Sequence, residues 1–378
     1  MPSPVREAVH LVTADTSTAQ LETLRALLTE TRITSRQTVL LLGAGSSQCG
    51  IPITRVHVPL SSKALRTHAL SRVLRKHRLF DGQDPTIVHA WSLAAATWIP
   101  RVHRVATLVQ IDPDADLRPS STSHMRPEVL AGRRIVCPTA AARQDLLRHG
   151  IPADRCTVIH PSVDDAALDA AQRGSVRQRL GLADDHIAIA ALPPVSRSSG
   201  AFTAAWAALL LEKVLPNVRL LIPAGGCGDR RVRELIEACR HEWMVRLAPP
   251  EMDLSGWLAA ADIAACLPAG HTSLASVAWA MASGCPLVTT DVPALTGVLR
   301  DGHNAWLCQP NDPQDAARRM LEAIENRQQS DRQVAAARAE ARELFSRPRM
   351  IAQYQQTYAD IIADRSPQSA QLPAEAIA

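Results

Sequence analysis

Residues 258–313 read LAAADIAACLPAGHTSLASVAWAMASGCPLVTTDVPALTGVLRDGHNAWLCQPNDP, and this stretch contains one full cycle of the pattern that decides the fold. An apolar run, DIAACLP, is followed by a turn, by the helical pattern SLASVAWAMASG, and then by a second apolar run, PLVTT. Gly284 closes the helix, because glycine readily adopts the left-handed conformation that ends a helix before the next strand. Strand, helix and strand in this order indicate parallel strands joined by a crossover helix.

The same alternation runs through most of the chain and restarts at HIAIAALP, residues 186–193. It predicts an α/β protein of two doubly wound domains, with parallel sheets covered by helices on both faces. The join is predicted within residues 160–182, which lose strand character. We assign residues 1–165 and 166–348 to the two domains, 349–364 to a C-terminal helix, and 365–378 to a disordered tail with too little apolar content to pack.

Composition excludes several classes of protein. The 378 residues carry 41 Lys and Arg against 37 Asp and Glu, and these charges are spread along the chain, so nucleic acid is not an expected partner. No apolar run reaches the roughly 18 residues that a membrane span needs, and the N-terminus lacks a signal pattern, so we expect a cytoplasmic protein. The 8 cysteines have no paired spacing, so neither a disulfide nor a metal site is predicted.

A basic segment, RTHALSRVLRKHRLF at residues 66–80, departs from this even distribution of charge. Read as a helix, it places its apolar residues on one side and most of its arginines elsewhere. One interpretation is a solvated basic face. The other is peripheral contact with an anionic membrane surface.

Two turns have the composition of a phosphate-binding site. PAGHTS places a flexible turn directly before a helix, whose free N–H groups and positive dipole end suit an anion. VRLLIPAGGCGD places Gly225 and Gly226 directly after a strand, at the edge of a ligand crevice in a doubly wound sheet. Each turn alone is also typical of an ordinary chain reversal.

Three segments resemble the group 1, family-four type glycosyltransferases. IVCPTAAARQDLLRHGIPADRCTVIHPSVD, residues 135–164, is similar to the end of that family's first domain, with Thr139 at the position of a helix cap. Residues 258–313 are similar to the family's stretch in which an acidic residue, seven others and a Glu precede the AMAxGxP motif. DPTIVHAWS, residues 84–92, is the third. The resemblance implies the GT-B fold, in which two Rossmann-like domains face each other across a cleft.

The resemblance also implies transfer of a sugar from a nucleoside-diphosphate carrier to an acceptor hydroxyl, without a metal ion or other cofactor. In the family, an Arg and a Lys neutralise the diphosphate, and their positions fall on Pro194 and Ser199 here. Arg197 is the nearby cation, either in contact with a phosphate or solvated. The two acidic positions are occupied by His271 and Trp279, and Trp279 is interpreted as a core residue and not as a ring that stacks on a base.

The candidate catalytic residues are therefore His271 and Arg197. The candidate nucleotide-binding residues are Arg197, Ser199, Gly225, Gly226, His271, Thr272, Ser273 and Leu274. Within this set, the backbone N–H groups from Thr272 to Leu274 would face the diphosphate. Because losing one charge-stabilising donor typically costs ~10²–10³ in rate, the family's usual mechanism would be strongly impaired.

The N-terminal domain departs from the family in a similar way. Its first strand is followed by TADTSTAQ, without the family's glycines, and Val109 or Gln110 stands where the family has a His. Asp15, Thr16 and Ser17 form a helix cap in this interpretation. His89 is expected to line the cleft, and Trp91 stands at a second histidine position of the family.

Two hypotheses remain open from the sequence. The first is an active glycosyltransferase with a rebuilt donor site, acting on a nucleotide sugar and a glycan or lipid acceptor. The second is a catalytically inactive binding or partner subunit of the same fold in a glycan or envelope pathway. A sugar-nucleotide epimerase or a phosphorylase fits less well, since those enzymes also need charged phosphate contacts. The oligomeric state is left open.

Overall fold

The computed structural model describes residues 7–13, 16–30, 36–42, 54–56, 70, 86–99, 106–117, 127–192, 200–223, 230–249, 252–270, 272 and 274–364. The chain divides into two compact units. Unit 1 comprises Met1–His160 and Pro348–Ala378, and unit 2 comprises Pro161–Arg347. The predicted tail, residues 365–378, and the basic segment, residues 66–80 apart from Leu70, lie outside the described residues.

Unit 1 is built on a seven-stranded parallel sheet with the strand order β3-β2-β1-β4-β5-β6-β7. Its strands are β1 (Glu7–Thr13), β2 (Arg36–Leu42), β3 (Thr54–Val56), β4 (Thr86–Ala90), β5 (Ala106–Gln110), β6 (Arg134–Cys137) and β7 (Cys156–Val158). Its helices are α1 (Thr18–Leu28), α2 (Leu93–Ala96), α3 (Pro113–Asp116), α4 (Pro127–Leu130), α5 (Ala140–Arg148), a 3-10 turn (Ala153–Arg155) and the C-terminal α14 (Arg347–Ala363).

Unit 2 contains a six-stranded parallel sheet with the order β10-β9-β8-β11-β12-β13. Its strands are β8 (Ile187–Ala191), β9 (Val218–Pro223), β10 (Val245–Ala248), β11 (Ile263–Cys266), β12 (Leu287–Thr290) and β13 (Trp306–Cys308). Its helices are α6 (Asp165–Ala170), α7 (Arg173–Arg179), α8 (Ala201–Glu212), α9 (Arg230–Cys239), α10 (Leu254–Ala260), α11 (Ala275–Ser283), α12 (Pro313–Glu325) and α13 (Arg327–Leu344), with 3-10 turns at Glu242–Met244 and Pro293–Leu295.

Both strand orders reverse once, between β1 and β4 in unit 1 and between β8 and β11 in unit 2. In a doubly wound sheet, the loops at such a reversal leave in opposite directions and open a crevice at the carboxyl ends of the two strands. The central strands are buried on both faces, as the continuous apolar runs predicted. The prediction of two doubly wound α/β domains is therefore confirmed.

Local signals that the sequence displayed directly are also confirmed. Gly284 ends α11 with a φ of 86°. Thr139 caps α5, because its hydroxyl accepts a hydrogen bond from the Ala142 N–H at 2.9 Å. Ser17 caps α1 in a reciprocal pair with Gln20. Each signal acts within a few residues of chain, where sequence patterns are most reliable.

The C-terminal helix α14 forms part of the core of unit 1. Met350, Tyr354, Tyr358 and Ile361 project from one face of the helix and are buried against residues of β1, β2 and β4. The sequence treated this helix as a separate element. Its apolar spacing predicts a buried face but does not identify the surface that covers that face.

Candidate functional site

The carboxyl end of β11 in unit 2 is closely approached by the start of α8. The Leu192 N–H donates to the Ala265 carbonyl at 2.9 Å, which ties the end of β8 to β11. Gly200 then begins α8 with a φ of 77° and no side-chain cap. A Cβ at Gly200 would lie 1.7 Å from the Leu267 carbonyl oxygen, so only glycine fits between the two segments.

Helix α11 begins after the loop that follows the same strand. Leu274 is completely buried and adopts a left-handed conformation, with a φ of 65°, where a capping residue would normally stand. This conformation is unfavourable for leucine, and the Leu274 side chain does not cap α11. The Thr290 hydroxyl donates to the Pro268 carbonyl at 2.6 Å, which ties this loop to the end of β12.

Helices α8 and α11 therefore share an unusual feature. Both follow a left-handed residue whose own side chain makes no cap, and both begin next to the carboxyl end of β11 or in the loop that leaves it. The positive ends of the helix dipoles supply positive potential without a charged side chain. An anionic group such as a phosphate is the ligand that this arrangement suits.

The structure describes two of the candidate nucleotide-binding residues, and both belong to this helix start. Thr272 is buried and Leu274 immediately precedes α11. The other candidates, Arg197, Ser199, Gly225, Gly226, His271 and Ser273, lie outside the described residues.

Trp279 lies on α11 and packs in the core of unit 2. Its side chain is 7% exposed and belongs to a cluster that includes Trp257, Leu258 and Phe345. The interpretation of Trp279 as a core residue is therefore confirmed. Because the ring is almost entirely buried, it offers no accessible face to a nucleotide base.

At the carboxyl ends of β1 and β4 in unit 1, three hydroxyl groups lie close together. The Thr13 N–H donates to the Thr16 hydroxyl at 2.9 Å, and the Thr13 and Ser92 hydroxyls are 3.5 Å apart. Ser92 also caps α2 by accepting from the Ala95 N–H at 3.0 Å. Of the predicted cap residues, Ser17 caps α1, Thr16 instead accepts from the end of β1, and Asp15 lies outside the described residues.

Asp116 is a buried carboxylate next to these hydroxyls that sequence reasoning missed. It accepts from the Leu93 N–H at 3.3 Å and from the Asp112 N–H at 2.9 Å, which joins the loops after β4 and β5. Burial raises the pKa of the Asp116 carboxyl to about 7, although the hydrogen bonds from Asp112 and Leu93 oppose this rise. The only sequence signal is the acidic run DPDAD after a buried strand, which is equally typical of an exposed loop.

The structure places His89 in the interior of unit 1, whereas the sequence placed it on the lining of a cleft. Its ring is completely buried, stacks on Trp91 at 4.3 Å between centroids, and has Nδ1 2.9 Å from the Tyr358 hydroxyl of α14. Helix α14 covers this face of the sheet, and a single strand pattern cannot show which helix lies over it. His89 is thus a packing residue that joins α14 to β4.

His10 on the neighbouring strand extends this polar cluster. It is paired with His89 across β1 and β4, accepts from the Trp91 Nε1–H at 3.2 Å, and has Nε2 3.0 Å from the Gln37 side-chain oxygen. Burial lowers the pKa of His10 from 6.5 to about 4, although its hydrogen bond to Gln37 raises it. Burial, followed by the proximity of His10, lowers the pKa of His89 well below 6.5.

A His10→Gln variant is expected to lose less stability in acid than the wild-type protein. In the wild type, unfolded His10 takes up a proton near pH 6.5, whereas folded His10 stays neutral until about pH 4. The stability that depends on neutral His10 is therefore lost as the pH falls through this window. Between about pH 7 and pH 5, the difference in unfolding free energy between wild type and variant should change by about 1–2 kcal/mol.

Urea unfolding of both proteins at several pH values measures this difference. His149→Gln provides the control, because His149 is an exposed residue at the end of α5. A His10→Gln difference that stays constant with pH, or that matches the His149→Gln difference, would contradict the burial of a neutral His10.

No group of three or more His, Cys, Asp or Glu side chains in the described part of the chain is arranged to hold a metal ion. Within the same residues, no helix has both the length and the apolar character to cross a membrane.

Two family models match the chain. Residues 187–326 match the model for glycosyl transferases group 1, and residues 9–167 match the model for glycosyltransferase family 4. The first match covers the sheet and most helices of unit 2. The second covers the parallel strands of unit 1 up to the crossover into unit 2.

Curated relatives are identical to the chain at about a quarter of the aligned residues. A D-inositol 3-phosphate glycosyltransferase of Nocardioides sp. is 28% identical over 302 residues, which represent 72% of this chain and 64% of that protein. A protein of the same name from Jonesia denitrificans is 26% identical over 326 residues, 79% of this chain and 74% of that protein. The chain thus spans less than two thirds of the length of the Nocardioides relative.

Solved structures share the fold. Anabaena HepE in complex with UDP and glucose superposes with a TM-score of 0.77 at 19% identity, over 94% of this chain and 100% of that one. A glycosyltransferase from Rickettsia africae superposes with a TM-score of 0.74 at 14% identity, over 96% and 99% of the two chains. Together with the two sheets, these similarities confirm the predicted GT-B class of two Rossmann-like domains.

Proposed function

The chain belongs to the group 1, family-four type glycosyltransferases, and we propose that it transfers a sugar from a nucleoside-diphosphate donor to a hydroxyl group of a glycan or lipid acceptor. The observation that supports this proposal is the pair of helix starts, α8 and α11, that follow left-handed residues beside the carboxyl end of β11 or in the loop that leaves it. When the glycosidic bond of the donor breaks, negative charge develops on the leaving diphosphate. Fixed N–H groups aimed at that charge stabilise the transition state.

The nucleotide and acceptor to test first come from the relatives. HepE has been solved with UDP-glucose, so a UDP-sugar is the first donor to examine. The relatives named D-inositol 3-phosphate glycosyltransferase suggest a phosphorylated polyol as one acceptor. The hydroxyls of Thr13, Thr16 and Ser92 offer hydrogen-bonding partners for such an acceptor in unit 1.

We propose that Arg197, His271 and the Thr272–Leu274 backbone take over the stabilisation of the diphosphate that an Arg and a Lys provide in the family. Pro194 and Ser199 carry no charge, and the buried Trp279 cannot hold a ribose as a carboxylate does. The N–H groups of the Thr272–Leu274 backbone and the start of α11 would then hold the diphosphate. Arg197 would assist them. Gly225 and Gly226 would let the loop after β9 approach the nucleotide closely.

The test combines nucleotide binding with turnover. Calorimetric titration with UDP, ADP and GDP should show one saturable site, and the preferred UDP-sugar should be consumed in the presence of an acceptor. Arg197→Ala and His271→Ala should each lower kcat by about 10²-fold if these side chains stabilise the leaving group. Arg332→Ala, an exposed position on α13, is the matched control and should leave kcat unchanged.

Two results would contradict the proposal. Failure of every nucleotide to bind would remove the donor site. Tight binding without turnover for any donor and acceptor would instead indicate the catalytically inactive binding subunit of the same fold.

We further propose that the enzyme is cytoplasmic and contacts the membrane surface through residues 66–80. The support is the sequence of that segment, in which Arg66, Arg72, Arg75, Lys76 and Arg78 accompany apolar residues at helical spacing. Sedimentation with anionic vesicles, but not with neutral ones, should depend on these residues. Equal sedimentation after their replacement by Gln would indicate a solvated basic face.

A further inference from the structure

The outer edge of β10 has an unusual surface. The large apolar side chains that are exposed among the described residues are Trp206, Val214, Trp243 and Leu247. Leu247 lies in β10 and is 53% exposed, and Trp243, two residues before the strand, is 46% exposed. Strand β10 is the last strand in the order of its sheet, so its outer N–H and C=O groups have no strand partner in the described part of the chain. An unpaired strand edge is a template for another strand.

The two faces of β10 have different chemistry. Val245 packs against the apolar cluster on one face, and Leu247 points to the same face because side chains alternate along a strand. Arg246 points to the opposite face, in register with Leu221 of β9. Arg219 lies two residues before Leu221 and therefore shares that face. Leu247 therefore lies on one side of the edge, and Arg219 and Arg246 lie on the other, where the Arg219 guanidinium stacks on the Trp243 ring.

The two arginines of the cationic face bind carbonyl groups, and Arg219 also contacts the His186 Nε2 at 2.9 Å and the Trp243 ring at 4.8 Å from its centroid, with no ion pair to a carboxylate among the described residues. Arg219 donates to the Pro216 and Val218 carbonyls at 3.2 and 2.7 Å, and Arg246 donates to the Trp243 and Val245 carbonyls at 2.6 and 3.0 Å. The Nε of Arg219 is buried without a hydrogen-bond partner. Burial, followed by the charge of Arg246, lowers the pKa of Arg219, although the charges of Asp185 and Glu212 raise it.

We propose that the outer edge of β10 binds an extended segment of a partner protein in which acidic residues alternate with apolar residues. The segment adds a strand to the sheet by pairing its backbone with β10. Its carboxylates lie on the face of Arg219 and Arg246, and its apolar side chains lie on the face of Leu247. This alternation is the complement of the alternation in β10 itself.

Charge and geometry favour a partner strand at this edge over a second copy of the chain and over a membrane surface. In a two-fold pairing of β10 with a second copy of the chain, the Arg246 side chains would face each other on the same side of the new sheet, and like charges across a strand pair are destabilising. A flat anionic membrane can contact one face of the strand, whereas Leu247 and Arg246 point to opposite faces. The side chains of an added strand alternate between the two faces and therefore reach both Leu247 and Arg246.

The test uses a fluorescein-labelled peptide of about ten residues in which Val and Glu alternate, which matches the period of a strand. Fluorescence anisotropy should show saturable binding to the full chain, and a peptide in which Val and Lys alternate should not bind. Arg246→Glu should weaken binding of the acidic peptide by about tenfold or more and create binding of the basic one. Leu247→Ser should also weaken binding, and Arg332→Glu on α13 is the control.

Hydrogen exchange locates the peptide independently of the variants. Amide exchange in Val245–Ala248 should slow when the Val–Glu peptide is added, because new backbone hydrogen bonds protect those groups. Thermal unfolding of each variant shows whether it is folded, and Arg246→Gln provides a milder change at the same position.

Four outcomes would overturn the proposal: equal binding of both peptides, binding unaffected by Arg246→Glu and Arg246→Gln, unchanged exchange in β10, or a β10-dependent dimer that excludes the peptide. Binding to phosphatidylglycerol vesicles that competes with the peptide would assign the surface to a membrane instead.

Discussion

A Gly200→Ala variant is expected to lose about 2–5 kcal/mol of unfolding free energy and to bind nucleotide more weakly than the wild type. Alanine at a φ of 77° is strained, and its Cβ would lie 1.7 Å from the Leu267 carbonyl oxygen. That oxygen belongs to the backbone, so no side-chain rotation relieves the overlap. The start of α8 must move away from the end of β11, and one of the two helix starts leaves the proposed diphosphate site.

Gly297→Ala separates the effect of backbone strain from the effect of the overlap. Gly297 also lies in unit 2 and has a φ of 87°, but nothing lies within 4 Å of a Cβ at that position. This variant should lose only the ~1–2 kcal/mol that a left-handed alanine costs, and its nucleotide affinity should be unchanged. Urea unfolding and calorimetric titration of both variants measure the two quantities. Equal losses would show that the contact between Gly200 and Leu267 contributes nothing.

Trp91→Ala is expected to destabilise unit 1 by about 3–5 kcal/mol. The Trp91 ring is completely buried and stacks on His89 at 4.3 Å, so its removal leaves a large cavity. Its Nε1–H also donates to His10 at 3.2 Å, and the variant leaves that buried nitrogen without a donor. In this interpretation Trp91 contributes packing at a position where the family has a histidine.

Trp206→Ala is the matched control on α8 of unit 2. Trp206 is 43% exposed and contacts the edge of Phe202 at 5.7 Å, so its loss should cost less than about 1 kcal/mol. Thermal and urea unfolding followed by circular dichroism measure both variants. A Trp91→Ala protein as stable as the Trp206→Ala protein would contradict the central place of Trp91 in the core of unit 1.

Several features could be predicted from the sequence because they depend on neighbouring residues. Thr139 and Gly284 mark helix ends through groups a few positions away. The buried strands follow from short apolar runs, and Trp279 follows from the apolar stretch around it. Turn composition also predicted that a helix begins after residues 268–273, and α11 begins at Ala275.

Other features could not be predicted because the residues that create them are far apart in the chain. His89 was expected in a cleft, but Tyr358, 269 positions away, covers it from α14. Asp116 looked like part of an exposed acidic loop until the end of β4 was placed beside it. Gly200 carried no special signal, since only the Leu267 carbonyl makes a side chain impossible there.

The amino-acid order alone determined the strands and helices, their parallel arrangement and the division into two α/β units, because hydrophobic periodicity and helix caps act over one or two turns of chain. The tertiary structure decided which faces are covered, which carboxylate is buried and how closely the start of α8 approaches the end of β11. These properties, among them the contact between Gly200 and the Leu267 carbonyl, depend on segments that are remote in sequence, where burial and excluded volume, and not local conformational preference, set the free energy.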